Sequence, residues 1–263
     1  MPANTETSDF PSSGAGGQPL GPPGPKRVGR LPGTVALVGG AEWSPGCEPI
    51  DRALVELSRS SEVLVLPTAA AFERPEKAIA TAQTYFSRLG VPVAACMVLS
   101  RSDAEDPALA GAVRRSRFTY LSGGSVLHLR SVLKSSLVWH ALVAAWAEGA
   151  TLAGSSAGAM VFGDTMVDPR GGALTLGLGL LTPFAVLPHA SDWSAEKTHR
   201  TVRLASGGLR IAAVDERTAL LRSPEGQWKV LGEGQVRVFV DGRPASLADL
   251  EAVEPVAHEP AGA

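Results

Sequence analysis

Apolar runs and helical spacings alternate along most of this chain. Thr34–Val38 is an apolar run ending in Gly39-Gly40, and Pro49–Arg59 then spaces Ile50, Leu54 and Leu57 along one helix face. Glu62–Leu66 is a second run, followed by helical spacing from Arg74 to Leu89. Pro92–Leu99 and Phe118–Leu121 come next, separated by a short helical segment at Pro107–Arg114, and the latter run closes in Gly123-Gly124. Val126–Glu148 reads as a helical region that leads into the short run Ala150–Ala153. Continuous apolar strands alternating with amphipathic helices predict an α/β fold, with a mostly parallel sheet covered on both faces. The last third differs. Leu209–Val214, Thr218–Leu221, Gln227–Leu231 and Val236–Val240 are short runs separated by Pro-Glu-Gly and Asp-Gly turns, and predict antiparallel hairpins at the sheet edge.

Composition sets the limits of this domain. A length of 263 residues suits one large domain, with or without an extension. Residues 1–31 are rich in Pro, Gly, Ser and Thr and hold few large apolar side chains, so they are expected to be a disordered tail. Residues 252–263 look similar, which leaves 32–251 as the folded domain. With 24 Lys and Arg against 26 Asp and Glu, no global field points to a nucleic-acid or membrane partner. The basic cluster Lys26, Arg27 and Arg30 is short, broken by Gly and Pro, and reads as a solvated linker. Cys47 and Cys96 form neither a disulfide framework nor a zinc-ligand pair. The N-terminus lacks a secretion signal, and the longest apolar stretch, Leu137–Ala147, is too short to span a bilayer. A soluble cytoplasmic protein is the expectation.

The most informative chemistry lies in Leu152–Met160. Gly154-Ser-Ser-Ala-Gly158 fits the G-x-S-x-G nucleophile elbow, with an apolar run before it and a helix-compatible run after it. A sharp strand-to-helix turn admits only small residues around the serine, and by spacing the nucleophile is Ser156, not Ser155. The same small residues also occur in plain turns, so a base must be found. Of the histidines, His258 lies in the tail, His140 is inside an apolar helix beside Trp139, and His199 keeps the company of a solvated face. His128 has Leu127 and Leu129 as packing neighbours. His189 follows the run Phe184–Leu187, at a strand end where ligands and catalytic groups collect in parallel sheets. For the carboxylate that orients an imidazole, Asp215 and Glu216 also follow a buried run, with Asp164 and Asp168 as competitors. Position alone does not choose between Asp215 and Glu216. Gly123-Gly124-Ser125 offers a backbone nest for an oxyanion, or simply a tight turn with a helix cap at Ser125.

These segments together resemble serine peptidase family S51, which includes dipeptidase E and cyanophycinase. The resemblance rests on Val38-Gly-Gly-Ala-Glu42, Tyr120-Leu-Ser-Gly-Gly-Ser125, Gly154-Ser-Ser-Ala-Gly-Ala159, Gly177-Leu-Gly-Leu-Leu181 with Pro188-His189, and Val214-Asp-Glu-Arg-Thr-Ala-Leu220, in that order along the chain. It implies a three-layer, class I glutamine amidotransferase-like α/β fold in which the elbow carries serine. It further implies Ser156 as nucleophile, His189 as base, Glu216 as orienting acid, and Gly124 and Ala157 as oxyanion donors beside Gly123. The chain departs from the family pattern at Val126, where members often carry a polar residue, and Pro188 is closer to the dipeptidase E pattern.

The expected function is therefore a serine-type peptidase that hydrolyses small peptides, aspartyl or isoaspartyl ones among them, through an acyl-enzyme. No metal or organic cofactor is implied, and the chain is compatible with a homodimer. Arg200 and Arg203, three residues apart on the helical segment after His189, are weak candidates for a substrate carboxylate; they also fit a solvated surface. Two rivals are carried forward. One is a non-catalytic member of the fold that binds a ligand or an assembly partner, favoured by Val126. The other is an α/β-hydrolase esterase, in which the acid precedes the histidine and Asp164 or Asp168 would serve.

Overall fold

The computed structural model describes residues 31–168 and 172–256. Five parallel strands form its centre: β1 (Val35–Val38), β2 (Val63–Leu66), β3 (Val93–Ala95), β4 (Phe118–Leu121) and β5 (Thr151–Ser155). Their spatial order is β3-β2-β4-β5-β1, and Thr218–Arg222 and Trp228–Gly232 extend the β1 side antiparallel to complete seven strands. β1, β2, β4 and β5 are buried throughout because both sheet faces are covered. Side chains alternate between two cores: Val35 and Leu37 enter one, Ala36 and Val38 the other. The first core lies under the helices at Pro107–Arg115 and Leu137–Ala147, the second under those at Glu48–Ser58 and Pro75–Arg88. This is the mixed, mostly parallel α/β architecture of the class I glutamine amidotransferase-like fold.

A second sheet of four strands lies beside the first. Phe184–Leu187 runs parallel to Arg210–Val214, which pairs antiparallel with Val236–Val240, and Arg243–Ala245 closes the edge. The four short C-terminal runs are thus shared between sheets. Two make the edge hairpin of the large sheet, and the other two join the strand that ends next to His189. Short apolar runs show where strands form but not which partner each one takes.

Three local features depart from the periodicity. The helical region expected over Val126–Glu148 is two helices, Val126–Leu133 and Leu137–Ala147. Ser135 takes a positive φ of 54°, and the Ser136 hydroxyl accepts the Trp139 N–H at 3.1 Å to cap the second helix. The Pro92–Leu99 run contributes only Val93–Ala95 to the sheet edge. Residues from Ala252 on were expected to lie outside the fold, but Val253 is buried and Glu254–Pro255 pairs with Leu181–Thr182. A two-residue strand carries no period of its own, so only the tertiary pairing reveals it. The remainder of both expected tails, 1–30 and 257–263, lies outside the described residues.

At its start the fold is tied down twice. The Gly33 N–H donates to the Trp146 carbonyl and the Trp146 indole N–H donates to the Gly33 carbonyl, each at 2.7 Å. Cys47 and Cys96 are both buried and free, and burial pushes the Cys96 thiol up to about 11, so neither is primed as a thiolate. No helix among the described residues is long and apolar enough to cross a membrane.

Candidate active site

The elbow forms where β5 ends. Ser156 adopts φ 49° and ψ −109°, outside the regions a non-glycine residue normally occupies, and the helix Ala157–Met160 starts directly after it. Backbone strain of this kind persists where the surroundings fix it. Here the Ser156 N–H is held by the Val38 carbonyl of β1 at 2.9 Å.

His189 also has a left-handed backbone, φ 51° and ψ 37°, at the end of Phe184–Leu187. Its Nε2 lies 2.9 Å from the Ser156 Oγ, and its Nδ1 lies 2.7 Å from Glu216 Oε1. An ionised carboxylate only accepts, so Glu216 assigns the proton to Nδ1 and leaves Nε2 to accept the Ser156 hydroxyl. The histidine and glutamate side chains are 37% and 27% exposed, open enough for a substrate to reach them.

The turn after β1 holds these loops together through its backbone. The Gly39 carbonyl accepts the His189 N–H at 2.7 Å, and the Gly40 carbonyl accepts the Arg217 N–H at 3.1 Å. Gly40 itself has φ 138°, and a Cβ there would sit 2.3 Å from Cε1 of His189. Only glycine provides both that backbone and that space.

Two of the competitors for the acid, Asp215 and Asp164, are engaged elsewhere. Asp215 Oδ2 accepts the Gln235 N–H at 3.0 Å and its Oδ1 is 3.7 Å from Arg237, so it faces the second sheet. Asp164 accepts from the Phe184 N–H at 3.0 Å and from the Thr182 hydroxyl, fixing the entry to the strand that carries His189. The Asp168 carbonyl accepts the Gly172 N–H at 2.8 Å, which makes it part of a loop closure. Among the other histidines, His128 Nε2 contacts the Leu99 carbonyl at 2.8 Å, His199 is exposed, and His258 lies outside the described residues.

Three further expectations meet the geometry. The Gly123 N–H is already given to Glu42 Oε1 at 2.8 Å, whereas no acceptor among the described residues takes the N–H of Gly124 or Ala157. Val126 is 3% exposed and packs in the core, so its apolarity serves packing rather than an altered cleft. Arg200 and Arg203 are both exposed, and the Arg203 Cα abuts the Gly242 turn. That turn adjoins the Arg210 end of its sheet, whereas His189 follows the opposite end. His189, Asp192 and Glu216 present ligand atoms within 4.8 Å of one another. A metal there would compete for the same imidazole that Ser156 and Glu216 hold.

Glu42 carried no role in the sequence reading beyond its place in a motif. Its second oxygen accepts the Ser155 hydroxyl at 2.7 Å, so one carboxylate joins the β1 loop, the β4 turn and the elbow.

An α/β sheet with a strained serine elbow hydrogen-bonded to a His–Glu pair defines a serine peptidase. The profile of peptidase family S51 matches residues 35–229, and the chain belongs to that family. It is 27% identical over 241 residues to the cyanophycinases of Synechococcus elongatus and Thermosynechococcus vestitus, covering 84% of this chain and 72% of theirs. The crystal structure of a peptidase from an acI-B1 actinobacterium superposes with a TM-score of 0.71 at 27% identity, over 81% of this chain and 91% of that one. A putative peptidase E protein from Listeria monocytogenes shares the fold, with a TM-score of 0.53 at 17% identity over 80% and 98% of the two chains.

Proposed function

We propose that this S51 peptidase hydrolyses small peptides through an acyl-enzyme formed on Ser156. His189 takes the hydroxyl proton and returns it to the leaving amine, and Glu216 holds the imidazole and stabilises its protonated form. The N–H groups of Gly124 and Ala157 receive the developing oxyanion. One observation carries this reading: the unbroken chain of bonds Ser156 Oγ to His189 Nε2 at 2.9 Å and His189 Nδ1 to Glu216 at 2.7 Å. The buried Val126 withdraws the feature that favoured a non-catalytic binding module, and the engagement of Asp164 removes one of the two acids that an esterase with the acid before the histidine would use.

For substrate we propose a small aspartyl or isoaspartyl peptide, a reading supported by the relatives named cyanophycinase. The test has two parts. A fluorophosphonate is expected to label the wild-type protein at Ser156 and to leave Ser156→Ala unlabelled. A panel of dipeptides, isoaspartyl peptides and cyanophycin fragments then reads turnover by amine release. Cleavage confined to neutral dipeptides overturns the substrate class, and an unlabelled, inactive wild-type protein overturns the mechanism.

A further inference from the structure

We propose that Glu42 is the positioning residue of the oxyanion turn, holding Gly123 and Ser155 so that the Gly124 N–H faces the carbonyl attacked by Ser156. The inference deepens the reading above and rests on it.

The first support is the pattern of bonds along the turn. The Gly123 N–H is taken by Glu42 at 2.8 Å, and the Ser125 N–H by the Ala69 carbonyl at 2.8 Å. Gly124, between them, has no acceptor among the described residues. Its neighbours are fixed on both sides, so its own unpaired N–H is held in place. Gly124 also takes φ 135°, and a Cβ there would meet the Ala69 oxygen at 2.4 Å, so the turn is seated tightly against the Thr68–Ala70 turn. An added Cβ on Gly123 would lie 3.0 Å from Glu42 Oε1 and 3.4 Å from Ser156 Cβ, which puts the clamp beside the nucleophile.

The second support is how Glu42 is presented. The residues flanking it, Ala41 and Trp43, both have positive φ, 55° and 59°. Trp43 is buried, with its ring centroid 5.2 Å from that of Tyr120 on β4. The loop is thus anchored on the strand that leads into the turn it clamps. Ser155 is fully buried and its hydroxyl needs an acceptor, which the second Glu42 oxygen supplies at 2.7 Å. With each carboxylate oxygen holding a donor, the charge is directed into two charge-assisted bonds rather than at the oxyanion. A donor aimed in advance acts mainly on the transition state, so the clamp should govern kcat more than KM.

The test compares Glu42→Ala, Glu42→Gln, Glu42→Asp and Ser155→Ala by steady-state kinetics. It adds the affinity for a peptide boronate, which forms a tetrahedral adduct on the serine. Glu42→Ala is expected to lower kcat by about 10²-fold, with KM nearly unchanged and boronate affinity falling in step. Glu42→Gln keeps one acceptor for Gly123 and a donor for the Ser155 oxygen, so it restores kcat to within about tenfold of wild type. Glu42→Asp cannot span both donors and falls between these, and Ser155→Ala, which leaves the Gly123 bond intact, is the mildest. If Glu42→Ala does not fold, a Glu42→Asp variant with wild-type kcat still overturns the assignment. So does a Glu42→Ala variant that loses turnover while binding the boronate as tightly as wild type. An active wild type, a dead Ser156→Ala and an unaffected Glu42→Ala would sink the clamp alone. An inactive, unlabelled wild type would instead sink the peptidase mechanism beneath it.

Discussion

On one side of Ser156 stand two side chains, His189 and Glu216, partly exposed and joined end to end by hydrogen bonds of 2.9 and 2.7 Å. On the other side stands backbone: a glycine turn whose outer N–H groups are held by Glu42 and Ala69, pressed against a neighbouring turn. The difference follows from what each side must do. A proton shuttle changes charge during the reaction and needs titratable side chains aligned along a hydrogen-bonded path. An oxyanion site must present fixed dipoles before charge develops, and rigid backbone does this without reorganising. The two sides even use their carboxylates differently. Glu216 bonds the His189 ring, whereas Glu42 bonds a backbone N–H and the buried hydroxyl beside the elbow serine.

The largest effect should come from breaking the side-chain side. Ser156→Ala removes the atom both sides serve and is expected to abolish turnover. Glu216→Gln should cost about 10⁴-fold in kcat, the scale seen when an orienting carboxylate is lost from a Ser-His-Asp set, with an unchanged thermal transition. A Glu216→Gln enzyme within tenfold of wild type would assign the acid to another residue.

A matched pair of glycine substitutions sharpens the comparison. Gly40→Ala drives a Cβ into the His189 ring, and Gly124→Ala drives one into the Ala69 carbonyl, each at a positive φ. Both should lower kcat by about 10²- to 10³-fold. They should differ in kind. Gly40→Ala displaces the base and is expected to slow fluorophosphonate labelling, whereas Gly124→Ala should chiefly weaken the boronate adduct. Equal effects on both probes would mean that the two sides move as one unit.

The smallest effect lies outside the chemistry, beneath the loop that carries Glu42. Asp51, on the helix Glu48–Ser58, is almost fully buried, and burial pushes its carboxyl up to about 7. A raised carboxyl pKa favours folding while the group is protonated. Its contribution is complete below the unfolded value of 3.8 and is lost as pH rises through about 7. Asp51→Asn should therefore raise Tm by several degrees at pH 8 and hardly at all at pH 4, with kcat nearly unchanged. A Tm difference that does not vary with pH would show that Asp51 is not being neutralised on folding.

Much of this was legible in the chain because it is local. β1, β2, β4 and β5 are continuous apolar runs, and the elbow is contiguous, so spacing alone separated Ser156 from Ser155. By position alone the candidate acid was legible only to within a residue, and the family resemblance chose Glu216. Asp215 and Glu216 sit side by side on one loop, and the backbone turns the first toward Gln235 and the second toward His189. Glu42 was invisible as a functional residue because its bonds cross 81 and 113 positions of sequence, and no local pattern encodes such a contact. The second sheet was hidden for the same reason. Its strand Arg210–Val214 is parallel to one neighbour and antiparallel to another, a choice that short apolar runs do not record.

The crossing between the two sheets has a mechanical consequence. Ser156 follows a strand of the large sheet, His189 follows a strand of the small one, and Glu216 lies on the segment that carries the chain from Val214 in the small sheet to Thr218 in the large. The triad is therefore a vernier that reads the alignment of two sheets packed on one shared core. A slip of about 1 Å between them would stretch the 2.9 Å Ser156–His189 bond past hydrogen-bonding range while each sheet kept its own ladder. Turnover should therefore fail before the fold does when the protein is warmed.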